Sequence, residues 1–200
     1  MSLPIVHYGH PVLREKGARI ESITPEIEGL IQQMFDTMYE AAGIGLAAHQ
    51  VARALQLTVI DVRDVEDRPS SMEIQGKPVP VKDHMPLVLI NPEIKPFGES
   101  AQGPEGCLSF PEIYADVVRH ESVEVRALDA QGKRIEFRAH GLLSRAVQHE
   151  FDHLQGILFI DRMSREIKQG FQAELDALQA ATKLELKQGA SLSTARGERM

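Results

Sequence analysis

The chain has 200 residues and 42% hydrophobic content, which is enough for one sizeable core and too little for a second full domain. Its 29 acidic residues outnumber 22 basic ones, and the net charge of −7 comes without a basic block, so nothing suggests a protein that binds DNA or an anionic membrane. A single cysteine excludes an internal disulfide, and no apolar run approaches the roughly 18 residues of a membrane span, so we expect a cytoplasmic protein.

The first part of the chain predicts a helix, a strand and a long insertion. Thr24, Pro25 and Glu26 provide an N-cap, a proline at the first helical position and an acid in the first turn. Apolar residues at helical spacing then continue the helix to about Ala42. Residues 55–62 (LQLTVIDV) are rich in β-branched side chains and predict a strand. Residues 63–86 are charged and turn-rich, which predicts a surface insertion with room for a short hairpin.

The middle of the chain predicts further strands. Residues 87–90 (LVLI) predict a strand, whereas Pro and Gly interrupt residues 91–104 and predict short strands and turns there. Residues 122–128 and 134–139 flank the turn sequence DAQGK and predict a hairpin. Because short connections join these segments, we expect them to pair in antiparallel fashion.

Two helices and a tail complete the chain. A helix opens at Gly141, contains the sequence QHEFDH and ends near Gly156. An amphipathic C-terminal helix begins near Ser164. From about residue 188 the chain has almost no apolar content, which predicts a disordered tail. We therefore predict a single α+β catalytic domain over residues 1–187, in which antiparallel strands surround the central helix that carries the histidines.

The histidine helix carries the clearest chemical signal. His149 and His153 lie four residues apart, so in a helix they point the same way and are able to share one metal ion. Glu150 flanks the same face and is placed to handle protons on a water bound to that ion. The alternative is a pair of satisfied core histidines, because an H-E-x-x-H pattern also arises by chance. An apolar stripe on the opposite face of the helix favours the metal site.

Two histidines leave a catalytic ion one protein ligand short, and the third ligand decides the class of enzyme. In metzincin proteases it is a histidine, and Phe159 occupies that position here. A later glutamate, Glu166 or Glu174, would indicate a zinc endopeptidase. Cys107, within EGCLS, would complete a Cys-His-His set with one position open for water. Further alternatives are a metal-binding module without turnover, or a papain-like Cys107 nucleophile whose base would be His7, His10, His84, His120 or His140.

Three motifs occur in the order GIGLAAHQ, EGCLS and QHEFDH, and this set closely resembles peptide deformylase of the bacterial type. The resemblance extends from HPVLR near the N-terminus to the C-terminal helix, and three ordered motifs are far more specific than any one of them. It implies a metal-dependent amidohydrolase that removes the N-formyl group from the initiator methionine of new polypeptides. The implied partners are the N-formylmethionyl nascent chain and, transiently, the ribosome.

The resemblance also implies roles for individual residues. By matching positions, Cys107, His149 and His153 would be the metal ligands, Glu150 the general acid/base and Gln50 the oxyanion donor. One divalent ion per chain is implied, with Fe(II) favoured over Ni(II), Co(II) and Zn(II), although the ligand chemistry alone suits all four.

The substrate cleft is predicted partly from the resemblance and partly from helical spacing. We expect the backbone N–H of Leu108 to act as a second oxyanion donor. Spacing back from His149 also brings Arg145 towards the metal face, where we expect it to pack its stem and expose its charge. Asp152 is a candidate support for the ligand imidazoles, or a solvent-facing residue. The predicted substrate-binding residues are Ile44, Gly45, Gly106, Leu142 and Ala146.

Overall fold

The computed structural model describes the backbone of residues 1–197 and the side chains of residues 1–188, and its architecture is α+β. The helices are α1 (Pro25–Glu40), α2 (Leu142–Leu154), α3 (Arg165–Gly170) and α4 (Gln172–Gly197). The strands are β1 (Gly45–Ala47), β2 (Leu57–Ile60), β3 (Ser70–Ile74), β4 (Lys77–Val79), β5 (Leu87–Cys107), β6 (Phe110–Leu128) and β7 (Arg134–Gly141). They form one antiparallel sheet in the order β1-β2-β5-β6-β7-β3-β4.

The pair β5–β6 is a single long hairpin where we predicted short strands and turns over residues 91–104. Its ladder runs from Ile90 opposite Leu128 to Cys107 opposite Phe110, with three shifts of register along the way. Only residues 87–90 of β5 pair with β2. Beyond them, the edge of β5 that faces away from β6 forms no hydrogen bonds with another strand among the described residues. Prolines, which lack an N–H, are therefore tolerated there, and the irregular pairing absorbs the glycines.

Part of the segment 63–86 belongs to the sheet and is not a surface insertion. It contains the hairpin β3–β4, and β3 pairs with β7 from Ser70 opposite Gly141 to Glu73 opposite Arg138. Met72 in β3 is buried in the core. The segment thus extends the sheet to seven strands and covers apolar surface that a loop would leave open.

The helices follow the predictions with differences at their ends. Helix α1 has Thr24 as its N-cap, whose hydroxyl accepts from the N–H of Ile27, and it ends at Glu40, two residues before the predicted end. The predicted C-terminal helix is divided at Phe171 into α3 and α4. Helix α4 continues to Gly197 through most of the segment predicted as a tail, and residues 198–200 lie outside the described part. Within the part of the chain that is described, no helix has the length and apolarity to span a membrane.

Helix α2 lies against the sheet and is buried on nearly all sides. Leu143 and Val147 belong to the main apolar cluster with strands β2, β3, β5, β6 and β7. The start of the helix is fixed to β3, because the N–H of Leu142 donates to the Pro69 carbonyl (3.1 Å) and the N–H of Leu143 to Ser70 Oγ (3.1 Å). The residue before the helix, Gly141, has φ 64° and ψ −133°, a conformation open only to glycine.

We expect Gly141→Ala to lower the free energy of unfolding by at least about 3 kcal/mol, because positive φ and a steric clash act together. A Cβ at Gly141 would lie 2.3 Å from the Pro69 carbonyl oxygen. Gly76→Ala is the matched control: its φ is also positive (73°), but no atom of the described residues lies within 4 Å of the added carbon, so about 1–2 kcal/mol is expected. Urea denaturation compares the two variants, and equal losses would show that the contact with Pro69 costs nothing.

A second fold-level feature is His49, which lies in the short 3₁₀ turn Ala48–Val51 after β1. Its side chain is completely buried. Burial lowers the pKa of His49 from 6.5 to about 4, and the nearby backbone of Glu15 offsets only part of this effect. The folded protein therefore holds His49 as a neutral imidazole down to mildly acidic pH.

This burial predicts a stability that depends on pH. Above about pH 6.5 neither the folded nor the unfolded state protonates His49, so stability is undiminished. As the pH falls from 6.5 towards 4 the unfolded state takes up the proton first, and up to about 3 kcal/mol is lost. Denaturant unfolding measured at several pH values should show that His49→Gln removes this part of the acid sensitivity. His120→Gln, at an exposed position, should leave the acid sensitivity unchanged; identical profiles for the two variants would contradict the assignment.

Candidate active site

The three predicted metal ligands come together at the end of β5 and on one face of α2. The sulfur of Cys107 and a ring nitrogen of each of His149 and His153 lie within 4.8 Å of one another. Sγ of Cys107 is 3.3 Å from Nε2 of His153. A thiolate and two imidazoles in this arrangement suit a divalent transition metal. In contrast, Glu166 and Glu174 are exposed on α3 and α4, outside this group.

Glu105 orients the first of the two histidines. Nδ1 of His149 lies 2.9 Å from the Oε2 atom of Glu105, so the ring donates this hydrogen bond and keeps Nε2 for the metal. Burial alone would raise the pKa of Glu105, but hydrogen bonds from His149 and Arg119 hold it well below its ordinary range. Glu105 is therefore an anion in a buried site. We had noted it only as the first residue of its motif, because nothing in its spacing pointed to His149.

A chain of buried ion pairs continues from Glu105 towards the surface. Arg119 in β6 donates to both oxygens of Glu105 (2.9 and 3.0 Å) and also to Asp152. Asp152 in turn accepts from Arg162 (2.7 Å). Asp152 is thus neither solvent-facing nor paired with an imidazole, the two roles considered from the sequence. It supports the site indirectly, through Arg119.

Arg145 does not expose its charge as we expected. Its residue is 8% exposed, and its guanidinium donates to Glu105 (2.9 Å) and to the carbonyls of Ala101 (2.9 Å) and Val117 (2.8 Å). The missing side chain of Gly103 leaves room for it, since a Cβ there would lie 3.1 Å from Nη2 of Arg145. Arg145 therefore ties α2 to both strands of the β5–β6 hairpin.

Gln50 is held with its amide facing the metal ligands. The N–H of Ala47 donates to Oε1 of Gln50 (2.9 Å), which leaves Nε2 directed at Sγ of Cys107 (3.5 Å) and Oγ of Ser109 (3.3 Å). The Gln50 side chain is buried. A buried amide donor next to an open ligand position is suited to stabilising a negatively charged oxygen.

Glu150 lies beneath β1 with little space around it. A Cβ at Gly45 would come within 2.4 Å of its carboxylate, so this approach requires glycine. Burial raises the pKa of Glu150 to about 7. Oε2 of Glu150 is buried without a hydrogen-bond partner among the described residues, as expected of a group that exchanges protons with a ligand or water.

One cleft of about 500 Å³ is lined by six of these residues: Gln50, Glu105, Cys107, Arg145, His149 and Glu150. All five predicted substrate-binding residues lie in its wall, and so does Leu108, which follows Cys107 in the turn between β5 and β6. Arg68, Glu112 and Tyr114 also line the cleft, and the sequence had not pointed to them. A larger groove of about 1190 Å³ runs between α1 and strands β3, β5 and β7, and no metal-site residue lines it.

Comparison with known proteins identifies the family. The sequence model of the polypeptide deformylase family matches residues 2–169. The peptide deformylase of Methylacidiphilum infernorum is 47% identical over 178 residues, which are 89% of this chain and 93% of that protein. The peptide deformylase of Opitutus terrae is 43% identical over 189 residues, 94% of this chain and 98% of that protein.

Solved structures agree with the sequence relatives. A crystal structure of Arabidopsis thaliana peptide deformylase 1B matches with a TM-score of 0.77 at 39% identity, covering 94% of both chains. A peptide deformylase from Legionella pneumophila matches with a TM-score of 0.75 at 34% identity, covering 92% of this chain and 98% of the other. The chain therefore belongs to the polypeptide deformylase family of metalloenzymes, hydrolases that remove the N-formyl group from nascent peptides.

Proposed function

We propose that the deformylase reaction takes place in the cleft between β1, the turn after β5 and the central helix α2. One observation carries this proposal: Cys107, His149 and His153 converge on one point, with Glu150 and Gln50 lining the same cleft. The three ligands are a thiolate and two imidazoles, and they would hold one divalent ion. When bound, such an ion supplies a nucleophile at neutral pH by lowering the pKa of water from about 15.7 towards 7.

Glu150 is the general acid and base of the proposed mechanism. Its carboxylate accepts the proton of the water that attacks the formyl carbon, and then passes that proton to the departing amine. A pKa of about 7 suits both steps, since the group exchanges protons readily near neutral pH. Gly45 keeps the carboxylate close to β1, where the formyl group would lie.

Gln50 and Leu108 stabilise the charge that develops on the formyl oxygen. Nε2 of Gln50 is oriented by the bond from Ala47 to its carbonyl, so it needs no rearrangement to donate. The backbone N–H of Leu108, directly after Cys107, would be the second donor. Donors fixed in advance contribute most to rate, because no reorganisation is needed when the charge appears.

The methionine side chain would occupy the apolar part of the cleft. Ala146 and Leu142 would form its floor on α2, one and two turns before His149. Ile44 and Gly45 lie at β1, where an extended peptide would pair with the backbone in strand-like fashion. Gly106 also lines the cleft, and the Tyr114 ring packs closely against it, since a Cβ there would lie 2.7 Å from that ring. The formyl group is then directed at the metal ligands and the side chain away from them.

The remaining features of the proposal concern setting and metal. We propose that residues 1–187 form one catalytic domain acting in the cytoplasm on N-formylmethionyl nascent chains, with transient ribosome contact and no binding of DNA. Fe(II) is the favoured ion, with Ni(II), Co(II) or Zn(II) able to replace it, as a Cys-His-His set accepts all four. The exposed positions of Glu166 and Glu174 argue against the endopeptidase alternative. The Cys107 sulfur contacts Gln50 and His153, rather than any histidine proposed as the base of a papain-like enzyme.

Protein loaded with Fe(II) or Ni(II) should release free amine from formyl-Met-Ala-Ser, and Glu150→Ala should lower kcat by about 10²-fold or more. The variant should retain its metal, because Glu150 is not a ligand. Amine release and metal content are measured on the same samples. Glu166→Ala is the control, and it should keep full activity because its side chain is exposed on α3. Loss of metal from Glu150→Ala would show that its role is wrong, and no amine release from fully loaded protein would refute the activity.

Cys107→Ser should remove both the metal and the activity, because a neutral hydroxyl replaces the only thiolate ligand. Metal content after gel filtration is expected to fall far below one ion per chain. Glu174→Ala should retain one ion and normal turnover. The endopeptidase alternative predicts the reverse pattern, so metal retained by Cys107→Ser and lost by Glu174→Ala would overturn the assigned ligand set.

A further inference from the structure

We infer that Arg68 is a specificity-determining residue that binds a carboxylate of the substrate beyond the formylmethionine. The inference rests on the proposed function of the cleft and extends it to the residues that follow methionine. Arg68 belongs to the connection between β2 and β3 and lines the same cleft as Gly45, Leu142 and Glu150.

The backbone holds Arg68 in place. The next residue, Pro69, accepts the hydrogen bond from the N–H of Leu142 (3.1 Å), and Ser70 caps Leu143 through its hydroxyl (3.1 Å). Ser70 also begins the ladder between β3 and β7. Arg68 is therefore fixed beside the first turn of α2, next to the floor of the methionine pocket, although it belongs to a connecting segment.

The guanidinium of Arg68 is the unpaired cation of the cleft. Within the described part of the chain it makes neither an ion pair nor a side-chain hydrogen bond, and its residue is half-buried. The other arginine in the wall, Arg145, already donates hydrogen bonds to Glu105 and to three backbone carbonyls. Glu112 also lines the cleft, and its carboxylate makes no ion pair within the described residues. The unpaired cation is thus half-buried, whereas the carboxylate of Glu112 is exposed to solvent.

The chemistry of the substrate makes this asymmetry selective. A formyl group abolishes the positive charge of the N-terminus, and methionine is neutral, so charge enters only with later residues or with the C-terminal carboxylate of a short peptide. A carboxylate there would pair with the free guanidinium of Arg68, whereas a lysine would be repelled. Because the pair would be partly exposed to solvent, a preference of about two- to fivefold in kcat/KM is expected.

The test compares four peptides that separate the two sources of a carboxylate. They are formyl-Met-Ala-Ser amide, formyl-Met-Glu-Ser amide, formyl-Met-Lys-Ser amide and formyl-Met-Ala-Ser with a free C-terminus. We expect the unmodified protein to prefer the Glu amide, the free acid or both over the Ala amide by about two- to fivefold, and to disfavour the Lys amide. Arg68→Gln should bring these values of kcat/KM together.

Arg126→Gln is the matched control for net charge. Arg126 is exposed and pairs with Glu136 on the β6–β7 hairpin, so its replacement should leave every preference intact. Equal kcat/KM for all four peptides in the unmodified protein, or an undiminished preference in Arg68→Gln, would overturn the role of Arg68. Turnover of the Ala amide in those same cases would leave the proposed catalytic function standing. No turnover of any peptide would refute both.

Discussion

The buried anion of Glu105 is the interaction on which the rest of the site depends. It lies on β5, two residues before the Cys107 ligand, and it binds His149 and Arg145 of α2 and Arg119 of β6. Removing one partner from such a buried cluster leaves an uncompensated charge at a cost of about 3–5 kcal/mol. Strand and helix therefore have a single favourable relative position, and that position places the sulfur beside the two imidazoles.

Further ion pairs connect the Glu105 cluster to the surface of the protein. Arg119 links Glu105 to Asp152, and Asp152 links to Arg162 near the surface. Because Arg119, Arg145 and His149 surround Glu105 at close range, this carboxylate stays ionised despite burial. Glu150 lacks such a partner among the described residues, and burial raises its pKa to about 7. Two carboxylates within one helix–sheet interface thus differ in protonation because their partners differ.

Much of this arrangement was predictable from the sequence, and the rest depended on non-local contacts. The spacing within one helix predicted that His149 and His153 share a face, and the ordered motifs, through the family that they resemble, added Cys107 and Gln50. The partners of Arg145, and the Arg119 partner of Asp152, were missed because they lie on strands distant in the chain, and spacing carries no information about them. The prediction of short strands and turns over residues 91–104 was wrong for a related reason. Proline and glycine are tolerated along a strand edge that has no partner, and the sequence does not show which edges are unpaired.

The β5–β6 hairpin has a consequence for the order of folding. Its ladder starts at Cys107 opposite Phe110, so the first pairs close a very short loop and carry the smallest entropic penalty. Helix α2 meets this hairpin through hydrogen bonds between residues 24 to 46 positions apart, which form later on average. We therefore expect the local pairing of the hairpin to position the Cys107 thiol before the imidazoles of α2 pack against it. Binding of an ion by all three ligands therefore requires the completed contact between this hairpin and α2.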